Sequence, residues 1–471
     1  MTDYTRFYID GAWVIPFGDQ QLGVVNPATE ETIAQISLGN VADVDRAVAA
    51  ARAAFPAWSE TSIDERRQLL EKITALFGSR MQELALLVSD EMGAPITLAS
   101  SHHAPGAWAH FKYAAEAMKT FVFEEQHGAT LVRKEAVGVC AMITPWNWPA
   151  TQITCKIAAA LAAGCTMVLK PSEIAPLSAH WIADILHEAG VPAGVFNLVD
   201  GLGPEVGEAL ARHADVDMIS ITGSTRAGAA VAKAAADTIK RVTQELGGKS
   251  ASIVLPEADF ETAVTQTARN CFANSGQTCL APTRLLVPHD RHEEAVAFAK
   301  ALAESITVGD TKDPGTFMGP LASEMHFDKV QGLITKALGE GTRLVTGGAG
   351  KPAGLGQGYY VKPTVFAGVS NDMTIAREEV FGPVLSIIPY SDEEDAIRIA
   401  NDSPYGLAGY VSGEPAHARR VAARLRTGYI VVNFNAFDMA APFGGYKQSG
   451  NGREWGAHGF NEYLEIKSVI G

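Results

Sequence analysis

Cys279 stands in a run of small and polar residues, Asn274-Ser275-Gly276-Gln277-Thr278-Cys279-Leu280-Ala281-Pro282-Thr283-Arg284, and the apolar stretch Leu285-Leu286-Val287 follows it. Gly276 and Gln277 before the thiol and Pro282 after it are turn formers, not core residues. The sulfur is therefore expected at the end of an ordered element, facing an opening. A carboxylate, Glu245, lies a short way upstream in Gln244-Glu245-Leu246-Gly247-Gly248-Lys249-Ser250. A nucleophilic thiol and a carboxylate base are two of the three parts needed to oxidise an aldehyde covalently. The third part is a hydride acceptor.

The other four cysteines, Cys140, Cys155, Cys165 and Cys271, lie in apolar surroundings and read as packing residues. No two cysteines form a C-x-x-C pair, which argues against zinc and thioredoxin-type motifs, and no metal site is assigned. A Cys-His hydrolase is the obvious rival. His289 and His292 fall in a polar turn after a strand, and nothing pairs either with Cys279.

A fixed amide precedes both groups, in Thr144-Pro145-Trp146-Asn147-Trp148-Pro149. The two prolines stiffen the loop and the two tryptophans wall it. Asn147 is either an oxyanion donor or the cap of its own turn.

The hydride acceptor has weaker marks. No G-x-G-x-x-G follows a strand, and Thr243 stands where a phosphate loop ending in Gly248-Lys249-Ser250 needs glycine. The strand Met218 to Ile221 runs instead into Thr222-Gly223-Ser224-Thr225-Arg226-Ala227-Gly228. Ser224 and the free N–H groups there either hold a pyrophosphate oxygen or cap a helix. Lys170 and Glu173, in Lys170-Pro171-Ser172-Glu173, either take up a ribose or form a surface ion pair. A carboxylate facing a ribose 2′ position favours NAD over NADP.

These groups need a scaffold, and hydropathy patterning describes it. Phe7 to Val14 reads as a hairpin about Asp10-Gly11. Helices follow, with Asp43 as cap of Val44 to Phe55, Asp64 as cap of a helix bearing Leu69, Leu70, Ile73 and Phe77, and Ser79 to Met92 stopping at Gly93. From about residue 137, short apolar strands (139–143, 166–169, 195–199, 218–221, 251–255) alternate with helices (154–163, 177–189, 227–236), which predicts a parallel sheet covered on both faces. Ligands on such sheets bind beyond the carboxyl ends of the strands. A second series follows from about 259 to 435, with helices at 260–271, 291–305 and 392–401 and strands at 384–388 and 429–432. Gly347 to Gly358 reads as a solvated loop. Thr130 to Glu135 and Glu462 to Val469 alternate in polarity and read as edge strands able to extend a neighbour's sheet.

At 471 residues the chain needs two or three cores. Its 47% hydrophobic and 19% charged residues are those of a folded globular enzyme. A net charge of −15 argues against nucleic acid and anionic membrane as partners. The odd number of cysteines and an opening segment without the apolar core of a signal peptide lead to an expectation of a cytoplasmic protein.

Taken together, Thr144 to Pro149, Lys170 to Glu173, Gly223 to Gly228, Glu245 to Ser250, Gly276 to Arg284, Glu378-Glu379-Val380-Phe381-Gly382-Pro383-Val384 and Pro442-Phe443-Gly444-Gly445-Tyr446-Lys447-Gln448-Ser449-Gly450 resemble, in that order, the NAD(P)-dependent aldehyde dehydrogenase superfamily. The resemblance implies an α/β fold: a Rossmann-like cofactor domain (1–117 and 137–247), a second α/β catalytic domain (248–448) and a small β oligomerisation element (118–136 and 449–471). It implies Cys279 as nucleophile, Glu245 as general base, and Asn147 with the Cys279 N–H as oxyanion hole. It implies cofactor contacts, to NAD or alternatively NADP, from Ile143, Thr144, Trp146, Lys170, Ser172, Glu173, Gly203, Gly207, Thr222, Gly223, Ser224, Ala227, Leu246, Gly247, Glu379 and Phe381. Glu454 matches a carboxylate that some members use as a proton relay, and dimers and tetramers are both common.

The resemblance places Trp148, Thr151, Gln152, Cys155, Leu280, Phe437 and Phe443 along the aldehyde channel, a mostly apolar set suited to aliphatic or aromatic aldehydes. Without an arginine beside the nucleophile before Arg284, a semialdehyde carboxylate is less favoured. Trp148, Phe437 and Phe443 can also cage a quaternary ammonium aldehyde. A CoA-acylating enzyme is the alternative, and Glu245 argues against it because hydrolysis needs a base. A non-catalytic binding protein on this scaffold is disfavoured by the intact Cys279, Glu245 and Asn147.

Overall fold

The structure, a computed structural model, describes residues 2–471. Two sheets dominate it. The first has eight strands in the order Gly450–Asn451, Arg241–Glu245, Met218–Thr222, Val139–Ile143, Thr166–Lys170, Phe196–Leu198, Phe7–Ile9, Ala12–Val14. The five inner strands from Arg241–Glu245 to Phe196–Leu198 are parallel, and antiparallel partners close both edges. Their near-continuous apolar content follows from burial on both faces.

Register brings the site's first components together. Thr222 pairs with Glu245, Ile221 with Ile143, and Ile143 with Lys170, so these residues share the carboxyl edge of one sheet. The strand Arg241–Glu245 has no strong apolar run and is absent from the sequence reading. Its pairing with Met218–Thr222 is what puts Glu245 in line.

The second sheet has seven strands, ordered Arg343–Thr346, Thr364–Ala367, Val384–Tyr390, Arg284–Pro288, Ala251–Val254, Ala408–Ser412, Tyr429–Val432. All its pairs are parallel except the first. Thr130–Ala136 pairs antiparallel with both Glu124–His127 and Leu464–Ile470, forming a small sheet in which the two anticipated edge segments join each other. Gly450–Asn451, expected in that element, instead borders Glu245 in the first sheet. A further small sheet of Thr2–Tyr4, Glu31–Ser37 and Gln21–Asn26 was not anticipated.

The Asp10-Gly11 hairpin is present, with both residues at positive φ. Helix starts differ from the sequence reading. The first helix is Val41–Ser59, capped by Asn40, and Asp43 serves as the third residue of a reciprocal capping box. The second is Ile63–Ser79, capped by Ser62 with Glu65, and Asp64 lies in its first turn. The third starts at Met81 and stops at Gly93. The helix read from Thr154 runs over Pro149–Ala163, because Pro149 at its first position needs no hydrogen-bond donor. The helix read from Ala227 begins at Thr225 behind its cap Ser224. No helix among the described residues is long and apolar enough to cross a membrane.

Candidate active site

The helix Phe260–Phe272 ends at the turn Ala273–Gly276, in which Asn274 and Ser275 both take positive φ, near +53° and +56°. Non-glycine residues seldom adopt this conformation, and surrounding contacts must hold it. Here Ser275 Oγ donates to the Gly319 carbonyl, and Asn274 Nδ2 donates to the Asn147 carbonyl at 2.9 Å. At Gly276 a β-carbon would sit 2.2 Å from the Gly382 carbonyl group. Only glycine fits there, and the close approach joins the turn before Cys279 to the loop carrying Glu379 and Phe381.

Cys279 follows this turn. Alone among the five cysteines it is not fully buried. Its thiol lies against the Glu245 carboxyl, although neither Glu245 oxygen has a well-formed hydrogen bond. Burial pushes the Glu245 carboxyl well above the usual carboxylate range, and the nearby charge of Glu454 adds to the effect. Burial likewise raises the Cys279 thiol, helped by the charges of Glu245 and Glu379. Both shifts favour the neutral forms of the pair over the charged ones.

The loop before the helix Pro149–Ala163 is fastened to the same turn. Asn147 Nδ2 donates to the Gln277 carbonyl at 3.0 Å, and Trp148 Nε1 donates to Thr278 Oγ1 at 3.1 Å. Among the described residues the Asn147 amide nitrogen has no second acceptor. Thr144, Asn147, Gln277 and Glu245 are all buried.

Glu454 is held by two neighbouring residues of one helix. It forms an ion pair with the fully buried Lys156 and accepts from Cys155 Sγ at 3.4 Å. The sequence reading missed Lys156. A lone cation in an otherwise apolar, alanine-rich helix was the available signal.

Cofactor candidates occupy the carboxyl edge of the first sheet. Lys170 Nζ meets Glu173 Oε2 at 3.0 Å, and Ser172 Oγ accepts from the Ile174 N–H. Ser224 Oγ caps its helix by accepting from the Ala227 N–H. Gly223 N–H donates to the Glu245 carbonyl, and Leu246 N–H to that of Ser449. The hydroxyls of Thr144 and Thr222 are buried without partners. Open space lies over Gly203, and over Gly207 the nearest atom is in Ile143 at 3.8 Å. Glu379 accepts from the Gly248 N–H at 2.8 Å, and Gly247 leaves it room, since a β-carbon there would lie 2.3 Å from its Oε2. Phe381, at φ +59°, packs edge-on to Trp146 with ring centres 5.5 Å apart. Orphaned hydroxyls, an open glycine surface and a free carboxylate edge fit a dinucleotide.

Of the channel candidates, Thr151 Oγ1 donates to the His103 carbonyl, Gln152 keeps a buried Oε1 without a partner, and the Leu280 carbonyl accepts from Tyr410. Trp148 stacks on His103. Phe437 is exposed and stacks on Tyr429. Phe443 is buried between Tyr429 and Trp455. The sequence reading missed His103, Tyr410, Tyr429 and Trp455, which lie outside any recognisable motif.

Residues 13–469 match the model of the aldehyde dehydrogenase family. The chain is 55% identical, over all of its length and 99% of the other protein, to a 3-succinoylsemialdehyde-pyridine dehydrogenase of a Pseudomonas species. It resembles the crystal structure of a cysteine-to-alanine mutant of aldehyde dehydrogenase C from Pseudomonas syringae in complex with NAD+ and octanal (TM-score 0.98, 53% identity, covering 99% of this chain and 96% of that one). It also resembles a Mycobacterium tuberculosis aldehyde dehydrogenase in complex with NAD+ (TM-score 0.97, 42% identity, covering 100% and 98%). The match in sequence over nearly the whole chain, on the fold that gathers a thiol, a carboxyl and an amide at one sheet edge, means that this protein belongs to the aldehyde dehydrogenase family and oxidises an aldehyde to the carboxylic acid with NAD(P).

Proposed function

We propose that Cys279, Glu245 and Asn147 carry the oxidation, that NAD is the preferred acceptor, and that the substrate is an extended, mostly apolar aldehyde. The observation that carries this reading is the contact of the Cys279 thiol with the Glu245 carboxyl, beside an Asn147 amide bonded to Gln277.

The Cys279 thiol gives up its proton to a water, and Sγ attacks the aldehyde carbon. The new C–S bond places an oxyanion within reach of the second Asn147 N–H and the main-chain N–H of Cys279. Donors set in advance for that charge lower the barrier without reorganisation. When bound, the nicotinamide supplies the hydride acceptor. Oxidation leaves an acyl thioester on Cys279, whose carbonyl the same donors polarise. Glu245 then takes a proton from water. The hydroxide adds to the acyl carbon, the C–S bond breaks, and the acid departs. Glu454 and Lys156, whose charges both act on Glu245, give the proton a route away from the base.

Lys170 and Glu173 would hold the adenosine ribose of NAD, and the Ser224 helix start would hold its pyrophosphate. Gly203, Gly207, Ala227 and Ile143 border the adenine side. Glu379, Phe381, Trp146, Thr144, Thr222, Leu246 and Gly247 border the nicotinamide side. Glu173 accepts from a 2′-hydroxyl and repels a 2′-phosphate. Trp148, Thr151, Gln152, Leu280, Phe437 and Phe443 line the aldehyde path. One relative is a 3-succinoylsemialdehyde-pyridine dehydrogenase, and the similar mutant structure from Pseudomonas syringae holds octanal, so aldehydes well beyond the shortest are the class this reading takes up. Short and long aliphatic and aryl aldehydes, each assayed with NAD and with NADP by absorbance of the reduced cofactor, test this. Oxidation of short polar aldehydes alone, or preference for NADP, would overturn it.

The strand Leu464–Ile470 lies at the edge of its sheet with Ile466 and Ile470 largely exposed. An exposed apolar edge suits sheet extension by a second copy. A homodimer or homotetramer is the assembly this edge supports, and light scattering on the purified protein measures it. Five unpaired cysteines suit the cytoplasm.

A further inference from the structure

The segment from Gly319 to His326 is absent from every motif, yet it touches three of the loops that carry site residues. The Gly319 carbonyl accepts from Ser275 Oγ at 2.8 Å, and the Ala322 N–H donates to Gln277 Oε1 at 2.9 Å, both in the nucleophile turn. Ser323 caps the helix Glu324–Gly339 and fixes its first turn, where His326 lies. His326 Nε2 meets the Phe381 carbonyl at 2.6 Å, in the loop that presents Glu379. The His326 ring packs against Trp146, beside Asn147, with ring centres 5.0 Å apart.

A carbonyl oxygen only accepts, so Nε2 carries the hydrogen. Burial pushes the imidazole down to about 4, so it stays neutral throughout the physiological range. Its one evident task is to hold Phe381, whose φ of +59° is costly for an aromatic residue. Farther along the same helix, Val330 packs where a β-carbon on Gly382 would lie, 2.9 Å away, which fixes the next residue of the loop as well.

We propose that His326 is a positioning residue that latches the Phe381 carbonyl and so sets Glu379 for the nicotinamide ribose, coupling cofactor binding to the geometry of the Cys279 turn. The inference rests on the reading of Glu379 and Phe381 as nicotinamide contacts given above. His326 acts through the Phe381 backbone it holds. The donor matters, and the imidazole ring itself matters less.

The test compares His326→Phe, which keeps a ring and loses the donor, with His326→Gln, which keeps a donor and loses the ring. For His326→Phe, the KM for NAD should rise and the rate of the NADH burst should fall, each about tenfold or ~1.4 kcal/mol, with the KM for aldehyde little changed. His326→Gln should recover most of both. Melting temperatures without NAD report folding, and His326→Leu, which also lacks a donor, replaces the phenylalanine variant should that one not fold. Wild-type NAD affinity and burst rate in the donorless variant would overturn the proposal, as would a glutamine variant no better than phenylalanine. Absence of NAD-linked aldehyde oxidation in the wild type would instead overturn the underlying reading.

Discussion

Asn147 and Gln277 lie 130 residues apart, and the side-chain amide of the first donates to the main-chain carbonyl of the second at 3.0 Å. The bond fixes one N–H of the amide and thereby aims the other. It also ties the loop leaving the first sheet to the turn that carries Cys279. Together with the return bond from Asn274 Nδ2 to the Asn147 carbonyl, it makes the Asn147 amide part of the support of the Cys279 turn.

Asn147→Ala is therefore expected to lower kcat by about two orders of magnitude, as loss of one oxyanion donor costs ~3 kcal/mol. Steady-state kinetics measure this. Because the variant also removes one of the two side-chain donors to the Gln277 carbonyl, a modest fall in melting temperature should accompany it. A loss of stability with kcat unchanged would mean that the amide is only a loop fastener.

Cys279→Ala should abolish turnover and leave NAD affinity within about threefold of wild type, because the thiol acts on the aldehyde and not on the dinucleotide. Isothermal titration with NAD, alongside the aldehyde assay, reads both. Residual dehydrogenase turnover in this variant would move the nucleophile elsewhere.

Glu245→Gln separates the two halves of the reaction. One equivalent of NADH per active site should appear in a burst, followed by slow release of acid, since water then lacks its base. Rapid-mixing absorbance shows this directly. A missing burst would place Glu245 ahead of hydride transfer, as the base for the thiol.

The pH profile follows from the same residue. Burial holds the Glu245 carboxyl protonated well above its usual range, and the base works only when ionised. Thioester hydrolysis should accordingly rise with pH through a transition well above the ordinary carboxylate value, and Glu245→Gln should flatten it. A profile already level at the ordinary value would show that Glu245 is solvated during deacylation.

Glu91 gives a second, structural pH dependence. It is fully buried, accepts from the main chain at Leu177 and Ser178, and burial pushes it up to about 7. The unfolded carboxyl releases its proton near 4.5 and the folded one near 7. Between those values the unfolded state binds fewer protons, so this group's contribution to stability falls as pH rises. Melting curves across that window should show a steeper decline for wild type than for Glu91→Gln. Equal slopes would rule the contribution out.

Local pattern made much of this protein legible. Short apolar strands alternating with helices announced two parallel sheets, and Glu245, Thr144-Pro145-Trp146-Asn147 and Gln277-Thr278-Cys279 announced themselves by residue type. Helix starts were misread where two cap candidates lay close together. Asp43 and Asp64 looked like caps, but Asn40 and Ser62 hold that position, because a capping box needs an acceptor three residues ahead of the acid. The strand Arg241–Glu245 was invisible because its pattern is weak and its pairing partner decides it.

What the sequence determined by itself was the chemical inventory and the class of sheet, since residue type and periodicity are local properties. Only the folded chain decided that Lys156 pairs with Glu454, that His326 reaches the Phe381 carbonyl, and that Gly276 sits against Gly382. Those contacts join segments far apart along the chain, and their distances depend on how whole sheets and helices pack. No short stretch of residues encodes that packing alone.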